Sequence, residues 1–490
     1  MTMTPASPGN PYLAPPTTVP AIGGTGSPGP ASEFWAATRP GATPAALVAA
    51  AAVGIAGGVL LIGHRPGLGA ALVALAGWGA ALPALVRRRR AGDLVLAGWS
   101  LLLLATVAVR DAAWLVALSW MVGIGAAVVA LAGGRTATGV LAAPLAAVGG
   151  VIRAVPWTGH GLRGLVHERG HAVWTAARSA AVALLLLVVF GALFGSADPM
   201  FASLLPHLTL NDLPGRVIVG GLVAVTAAAA IHLARTGTPW AEATRKPATP
   251  ARAAEWLVPV VALDALVLAF LGVWLSALAR GDAYIEHATG LTYAQYARQG
   301  FGQLVAVTVL TLVVVAVAAR RAPLGTRTDR IRSRAALGTL CVGTIGIVVS
   351  AVFRMSLYVD AYGLTRLRLL AAWGEVAMGV IVVLVLVAGI RWRGEWLPRA
   401  GVHVVAVAML SLAVVNPDAL VVRYDAAATD LPGGLDVAYV SDLSADAIPA
   451  IDALAEPTRR QVLDRMTFAP AGGLADWNFG RAHADAVLGR

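Results

Sequence analysis

One α-helix needs roughly 20 apolar residues to cross ~30 Å of hydrocarbon, and from residue 44 onward this chain repeats such a run about eleven times. The runs cover 44–62, 67–86, 93–109, 112–132, 179–195, 215–234, 257–279, 300–319, 335–358, 369–390 and 400–416. No soluble core has room for so much apolar surface. Charged residues make up 13% of the 490, against roughly 25% in soluble domains. The expected fold is all-α: a polytopic transmembrane helix bundle of about eleven spans with a small helical C-terminal tail.

The breaks between the runs alternate in charge. One set holds Arg39, Arg87 to Arg90, five arginines across 133–178, four basic residues across 235–256, six across 320–334, and Arg391, Arg393 and Arg399; these are 23 residues against 8 in the opposite set. Basic loops stay on the cytoplasmic side. The N-terminus is therefore expected in the cytoplasm and, with an odd number of spans, the C-terminal tail outside. This distribution also disposes of the net charge of +11 as a sign of nucleic acid: arginines beside apolar spans fit anionic lipid, and the lipid bilayer is the expected partner. Lys246 is the one lysine among 37 basic residues, which with the abundant alanine suggests a bacterial chain of GC-rich coding.

Three units follow. Residues 1–40 read as a disordered cytoplasmic tail, 41–416 as the transmembrane domain, and 417–490 as an extracytoplasmic helical tail. The first thirty-one residues hold no basic residue and no apolar core, so no cleavable signal peptide is expected there. The stretch 140–157 is apolar but interrupted by Pro144, two glycines and Arg153, and reads as an interfacial or re-entrant piece. The tail shows helical spacing at 441–455 and 457–466, with Ser444 and Thr458 as capping residues. It is too short to bury much core alone, so it should dock on the membrane part. The single Cys341 builds neither a disulfide framework nor a Cys-type zinc site.

Few patterns carry chemistry. His167-Glu168-Arg169-Gly170-His171 is a literal H-E-x-x-H, which on a helix sets two imidazoles one turn apart to hold Zn²⁺ beside a general base. Arg169 opposes the metal, Gly164 and Gly170 weaken the helix, and no third ligand follows, so a polar cytoplasmic stretch is the favoured reading over a zinc membrane metalloprotease. Charges inside spans are costly and usually functional or structural. Asp264, Arg354, Glu375 and His403 are these residues, and matching depth pairs Arg354 with Glu375. There is no phosphate loop, no nucleophile elbow and no cofactor motif. No internal repeat of the kind found in many transporters is visible.

Several phrases are distinctive: Glu255-Trp256 followed by LVPVVALDALVLAFLGV, GLTYAQYARQGFGQL (290–304), RMSLYVDAYGLTRLRL (354–369), VNPDALVVRYD (415–425), LDVAYVSDLSADAIP (435–449) and DWNFGRA (476–482). Over roughly 180–490 the chain resembles a bacterial family of multipass membrane proteins known only as a domain of unknown function, number 4173, close to number 4153. The resemblance implies an integral membrane protein without an assigned reaction. It directs attention to one predicted outer face carrying Tyr293, Tyr296, Arg298, Arg354, Tyr358, Tyr362, Arg366, Arg368, Asn416, Asp418, Arg423 and Tyr424. The expected function is a non-enzymatic sensor, scaffold or assembly component of the bacterial inner membrane, with a membrane or extracytoplasmic protein partner. A secondary transporter using Asp264 and an Arg354–Glu375 pair is the alternative.

Overall fold

A computed structural model describes residues 35–197, 212–238, 253–280, 301–428 and 434–489. Ten of its helices are long and apolar enough to cross a membrane, and each coincides with one of the runs read from the sequence. In chain order these are α1 (Pro44–Leu61), α2 (Leu68–Arg87), α3 (Ala91–Val109) and α4 (Ala113–Ala132), followed by the short α5 (Ala137–Leu141) and the 55-residue α6 (Ala143–Ala197). Then come α7 (Leu213–Thr236), α8 (Ala253–Arg280), α9 (Phe301–Arg321), α10 (Arg327–Tyr362), α11 (Arg366–Arg391) and α12 (Leu397–Val415). The architecture is an all-α polytopic bundle. The run at 179–195 is helical too, but as the continuation of α6 rather than as a separate element.

The bundle has two lobes. In the first, α1, α2, α3, α4, α7 and the start of α6 share apolar cores around Leu85, Leu96 and Ile231. In the second, α8 to α11 pack around Leu340, Ile347 and Val382. Helix α12 packs against α3, α4 and α11 and so joins the lobes. Small residues allow the closest approach. A Cβ on Gly54 would lie 2.6 Å from the Ala224 methyl, and one on Gly58 would lie 2.6 Å from the Arg216 carbonyl oxygen, so α1 and α7 touch backbone to backbone.

The two ends of the bundle differ in chemistry. At one end arginines close helix C-termini, whose last carbonyls lack intrahelical partners. Arg88 donates to the Leu131 carbonyl at 2.9 Å and to that of Leu233, while Arg399 donates to the Gly134 carbonyl and pairs with the fully buried Asp93 at 2.5 Å. The chain before α1 belongs to this basic end: Ala42 N–H donates to the Trp157 carbonyl at 3.0 Å, and Gly41 rests on Gly161. The first turns of α6 thus lie across the bundle. Ala143 and Ala146 contact the ends of α4 and α7, Trp157 stacks on His232 at 5.1 Å, and Leu145, Val148, Ile152 and Val155 face outward. The interrupted apolar stretch 140–157 is thus helical, forming α5's end and the start of α6 at the basic end of the bundle.

The opposite end carries a cap built from α13 (Pro417–Ala427), α14 (Val437–Ser441), a 3₁₀ turn (Ala445–Ala447), α15 (Ile448–Asp452), α16 (Thr458–Leu463) and α17 (Phe479–Leu488). Its apolar residues, among them Val421, Val440, Ile448 and Ile451, form one core with Leu115, Leu364 and Leu412 from the ends of α4, α10–α11 and α12. The start of α7 also reaches this end, where Arg216 donates to the Val59 carbonyl at 3.1 Å. Gly161 and Arg216 therefore sit at opposite ends. The apolar stretch 179–195 lies between them in sequence, in the second half of α6.

Candidate functional site at the capped end

Breaking a helix leaves four N–H groups without partners at its start and four carbonyls at its end. At the capped end these groups are answered by residues far away in sequence. The three-residue turn Arg110–Ala112 joins α3 to α4. Asp446 reaches it across more than 330 positions, one carboxylate oxygen accepting from Asp111 N–H at 2.8 Å and Ala112 N–H at 2.9 Å. A carboxylate at a helix N-terminus is favoured by the helix dipole as well. Asn478 supplies the complementary donors, its amide donating to the Val107 and Arg110 carbonyls at 2.9 Å each. Arg110 in turn donates to the Ala413 and Val414 carbonyls, closing α12.

Asp418 is the most enclosed member. It is fully buried and accepts from Arg366 at 2.7 and 2.5 Å, a fork-on-fork pairing, and from the Ser444 N–H at 2.9 Å and hydroxyl at 2.6 Å. Burial alone pushes its carboxyl up, but the bonds from Arg366 and Ser444 together hold it below the ordinary carboxylate range. Asp446 moves the other way. Burial raises its carboxyl, and the two backbone N–H groups of Ala112 and Asp111 offset this only in part. Its second oxygen has no hydrogen-bond partner among the described residues and lies against Gly480, where a Cβ would collide with it.

The outer seam repeats this logic. Arg481 pairs with Asp111 at 2.7 Å and donates to the Pro66 carbonyl at 3.0 Å. Asp476 accepts from the Arg65 N–H at 2.6 Å, and Leu68 N–H donates to the Trp477 carbonyl at 2.7 Å. Asp425 accepts from the Leu364 N–H at 2.6 Å, and the Tyr439 hydroxyl accepts from the Arg366 N–H at 2.8 Å. At Asn416 the backbone turns left-handed (φ 59°), ending α12; its carbonyl side chain accepts from Ala419 N–H and its amide donates to the Asp446 carbonyl. Asparagine tolerates that φ better than most residues.

The expected outer-face residues largely meet here. Arg366, Asn416 and Asp418 are in the seam. Tyr424 donates to Asp360 at 2.5 Å, a bond that pushes its phenol up to about 12. Arg368 lies 4.1 Å over the Tyr358 ring, which stands edge-on to Tyr362, and donates to the Tyr362 and Gly363 carbonyls. Arg423 is exposed. Tyr293, Tyr296 and Arg298 lie outside the described residues. Arg354 lies lower, buried in α10 with its guanidinium 6.0 Å from the Phe270 ring.

Other expectations are redirected. Arg354 and Glu375 match in depth but not in direction. Glu375 is fully buried facing α9, accepting from the Thr308 hydroxyl at 3.3 Å, and Arg354 is not among its ion-pair partners. Asp264 is buried on α8 in the second lobe, while His403 sits on α12. His167 and His171 are exposed on α6, which runs unbroken through Gly164 and Gly170. Among the described residues no three His, Cys, Asp or Glu side chains converge as a metal site. Ser444 bonds Asp418 instead of capping a helix, and Thr458 is the first residue of α16 rather than its cap.

Asp111, Asp446, Asn478 and Arg481 were not singled out from the sequence. Their signal was a short interspan turn holding adjacent Arg and Asp, and polar residues inside the phrases ending the chain. What the geometry defines is a polytopic helical membrane protein whose broken helix ends are closed by a docked C-terminal cap. The chain belongs to the family described as Domain of unknown function (DUF4153), which matches residues 98–454. The family number expected from the sequence, 4173, is corrected to its neighbour. The match begins earlier than the phrases suggested, taking in the H-E-x-x-H stretch and the turn at Arg110–Ala112, and it stops short of Asn478 and Arg481. No curated protein and no solved structure matches the chain significantly.

Proposed function

We propose that the chain is a non-enzymatic component of a bacterial inner membrane, N-terminus in the cytoplasm, that presents its cap as a fixed extracytoplasmic platform for a protein partner. The carrying observation is the seam. Arg366 and Arg481, with Asp111, Asp418 and Asp446, are consumed in closing helix ends and in buried ion pairs, which suits a rigid mount better than an open catalytic centre. The surface left to a partner includes Leu474, Trp477 and Phe479, exposed on the cap beside Arg423 and His483. A photo-reactive residue at Phe479 should yield a discrete protein adduct in native membranes, and one at the lipid-facing Leu82 should not. Adducts of equal yield from both positions would count against the platform.

A second reading, ion-coupled transport, rests on Asp264 and Glu375. Each lies in a span with one carboxylate oxygen buried and unbonded among the described residues, and such groups inside a membrane often relay protons. Asp264→Asn would then abolish proton-dependent uptake in vesicles, and unaltered uptake would dismiss this reading.

A further inference from the structure

Under the cap, at the ends of α1 to α4, lies a cavity of about 660 Å³, within the ~300–1,000 Å³ usual for small-molecule sites. Its walls are apolar: Leu60 and Leu61 of α1, Val107 of α3, and Val116, Ala117 and Trp120 of α4. Positions 113, 116, 117 and 120 share one face of α4, so the wall descends ~10 Å from the helix start. Ala113 and Ala117 stay exposed, which opens the cavity sideways at the level where the span meets the polar end. Its rim carries three arginines. His64, Arg65, Arg110 and Arg481 line it, against one carboxylate, that of Asp111, which is already paired with Arg481. Asp476 is engaged with the His64 ring, at 3.4 and 3.5 Å to its two oxygens, and with the backbone N–H of Arg65. The Arg65 guanidinium has no partner among the described residues, and Arg110 bonds carbonyls through only two of its three nitrogens.

We propose that this cavity holds one phospholipid with an anionic headgroup, the phosphate at Arg65 and Arg110 and the start of an acyl chain along Val116, Ala117 and Trp120. Charge complementarity selects this occupant. A neutral amphiphile would leave the unpartnered guanidinium without a counter-charge beside an apolar wall, whereas a headgroup phosphate answers it where Arg favours bidentate contact. Since Ala469 and Arg481 of the cap complete the cavity, a bound lipid would also tie the cap to the bilayer.

The test uses the full chain in detergent, with phosphatidylglycerol or phosphatidylcholine added at equal concentration and adducts counted by native mass spectrometry. Phosphatidylglycerol should be retained about five-fold or more over phosphatidylcholine, the effect expected of one or more unscreened basic contacts. Arg65→Gln removes the preference while sparing the fold, because that side chain makes no structural bond. Ala117→Trp fills the wall and lowers retention of both lipids, and a brominated phosphatidylglycerol quenches wild-type fluorescence more than that of Trp120→Phe. Equal retention of the two lipids by the wild type would overturn the proposal. So would a preference that survives Arg65→Gln, or displacement by millimolar inorganic phosphate alone, which would indicate a soluble anion.

Discussion

Asp418 and Asp446 sit a few ångströms from the same serine, yet their carboxyls are shifted in opposite directions. Asp418 faces a guanidinium and two donors from Ser444, so the charged form is stabilised despite complete burial. Because its folded carboxyl lies below the ordinary value, the stability it contributes is present above about pH 4 and is lost as the pH falls through the folded value. Asp446 is displaced upward, so its contribution is complete below about pH 4 and is lost as the pH rises through its raised folded value. Asp418→Asn should therefore cost about 3 kcal/mol at pH 7, the order seen when one partner of a buried pair is removed. The gap to wild type should hold down to about pH 4 and narrow only as the pH falls below it, as read from thermal unfolding midpoints in detergent. Asp446→Asn should cost less at pH 7, since the neutral side chain keeps one acceptor for the turn at Asp111. Equal costs for the two would contradict the assignment.

At the scale of elements, close approach is what fixes the packing. Helix α1 lies on α7 with Gly54 and Gly58 against Ala224 and the Arg216 carbonyl. Gly58→Val should separate the two by several tenths of an ångström at least and destabilise the first lobe by about 2 kcal/mol, in line with overpacked interiors. Gly77→Val, at a position open to its surroundings, is the control and should be nearly neutral. On the cap, Gly480→Ala drives a methyl into Asp446. It should loosen α17 first, seen as faster proteolysis near Leu474 with the bundle intact; uniform protection would show that the seam can yield. These helices were readable from the apolar runs. Their partners were not, because a helix buried in lipid is apolar on every side and its periodicity does not say which face meets protein.

For the whole molecule, the two ends of the bundle give a test of orientation. The one native thiol, Cys341, is buried, so single cysteines added elsewhere report cleanly. Leu474→Cys on the cap should react with an impermeant maleimide in intact cells, and Trp396→Cys at the basic end only after the cells are opened. The reverse pattern would invert the topology. Sequence alone left the side of the tail hanging on a span count. The structure puts the cap at the end opposite Ala42 through direct hydrogen bonds to the turns at Pro66–Leu68 and Arg110–Ala112, whatever that count.

What the sequence determined by itself was length, apolarity and charge order: the spans, the alternation of arginine-rich and arginine-poor loops, and the phrases that mark the family. These are properties of neighbouring residues, and a bilayer reads them locally. Only the tertiary structure decided azimuth and long-range closure. It turned Glu375 to Thr308 instead of Arg354, although their depths agree. It also brought Asp446, Asn478 and Arg481 to turns more than 300 residues away. Backbone groups freed where helices break must find partners, and the residues that serve them are set by how the folded chain returns, which no local pattern records.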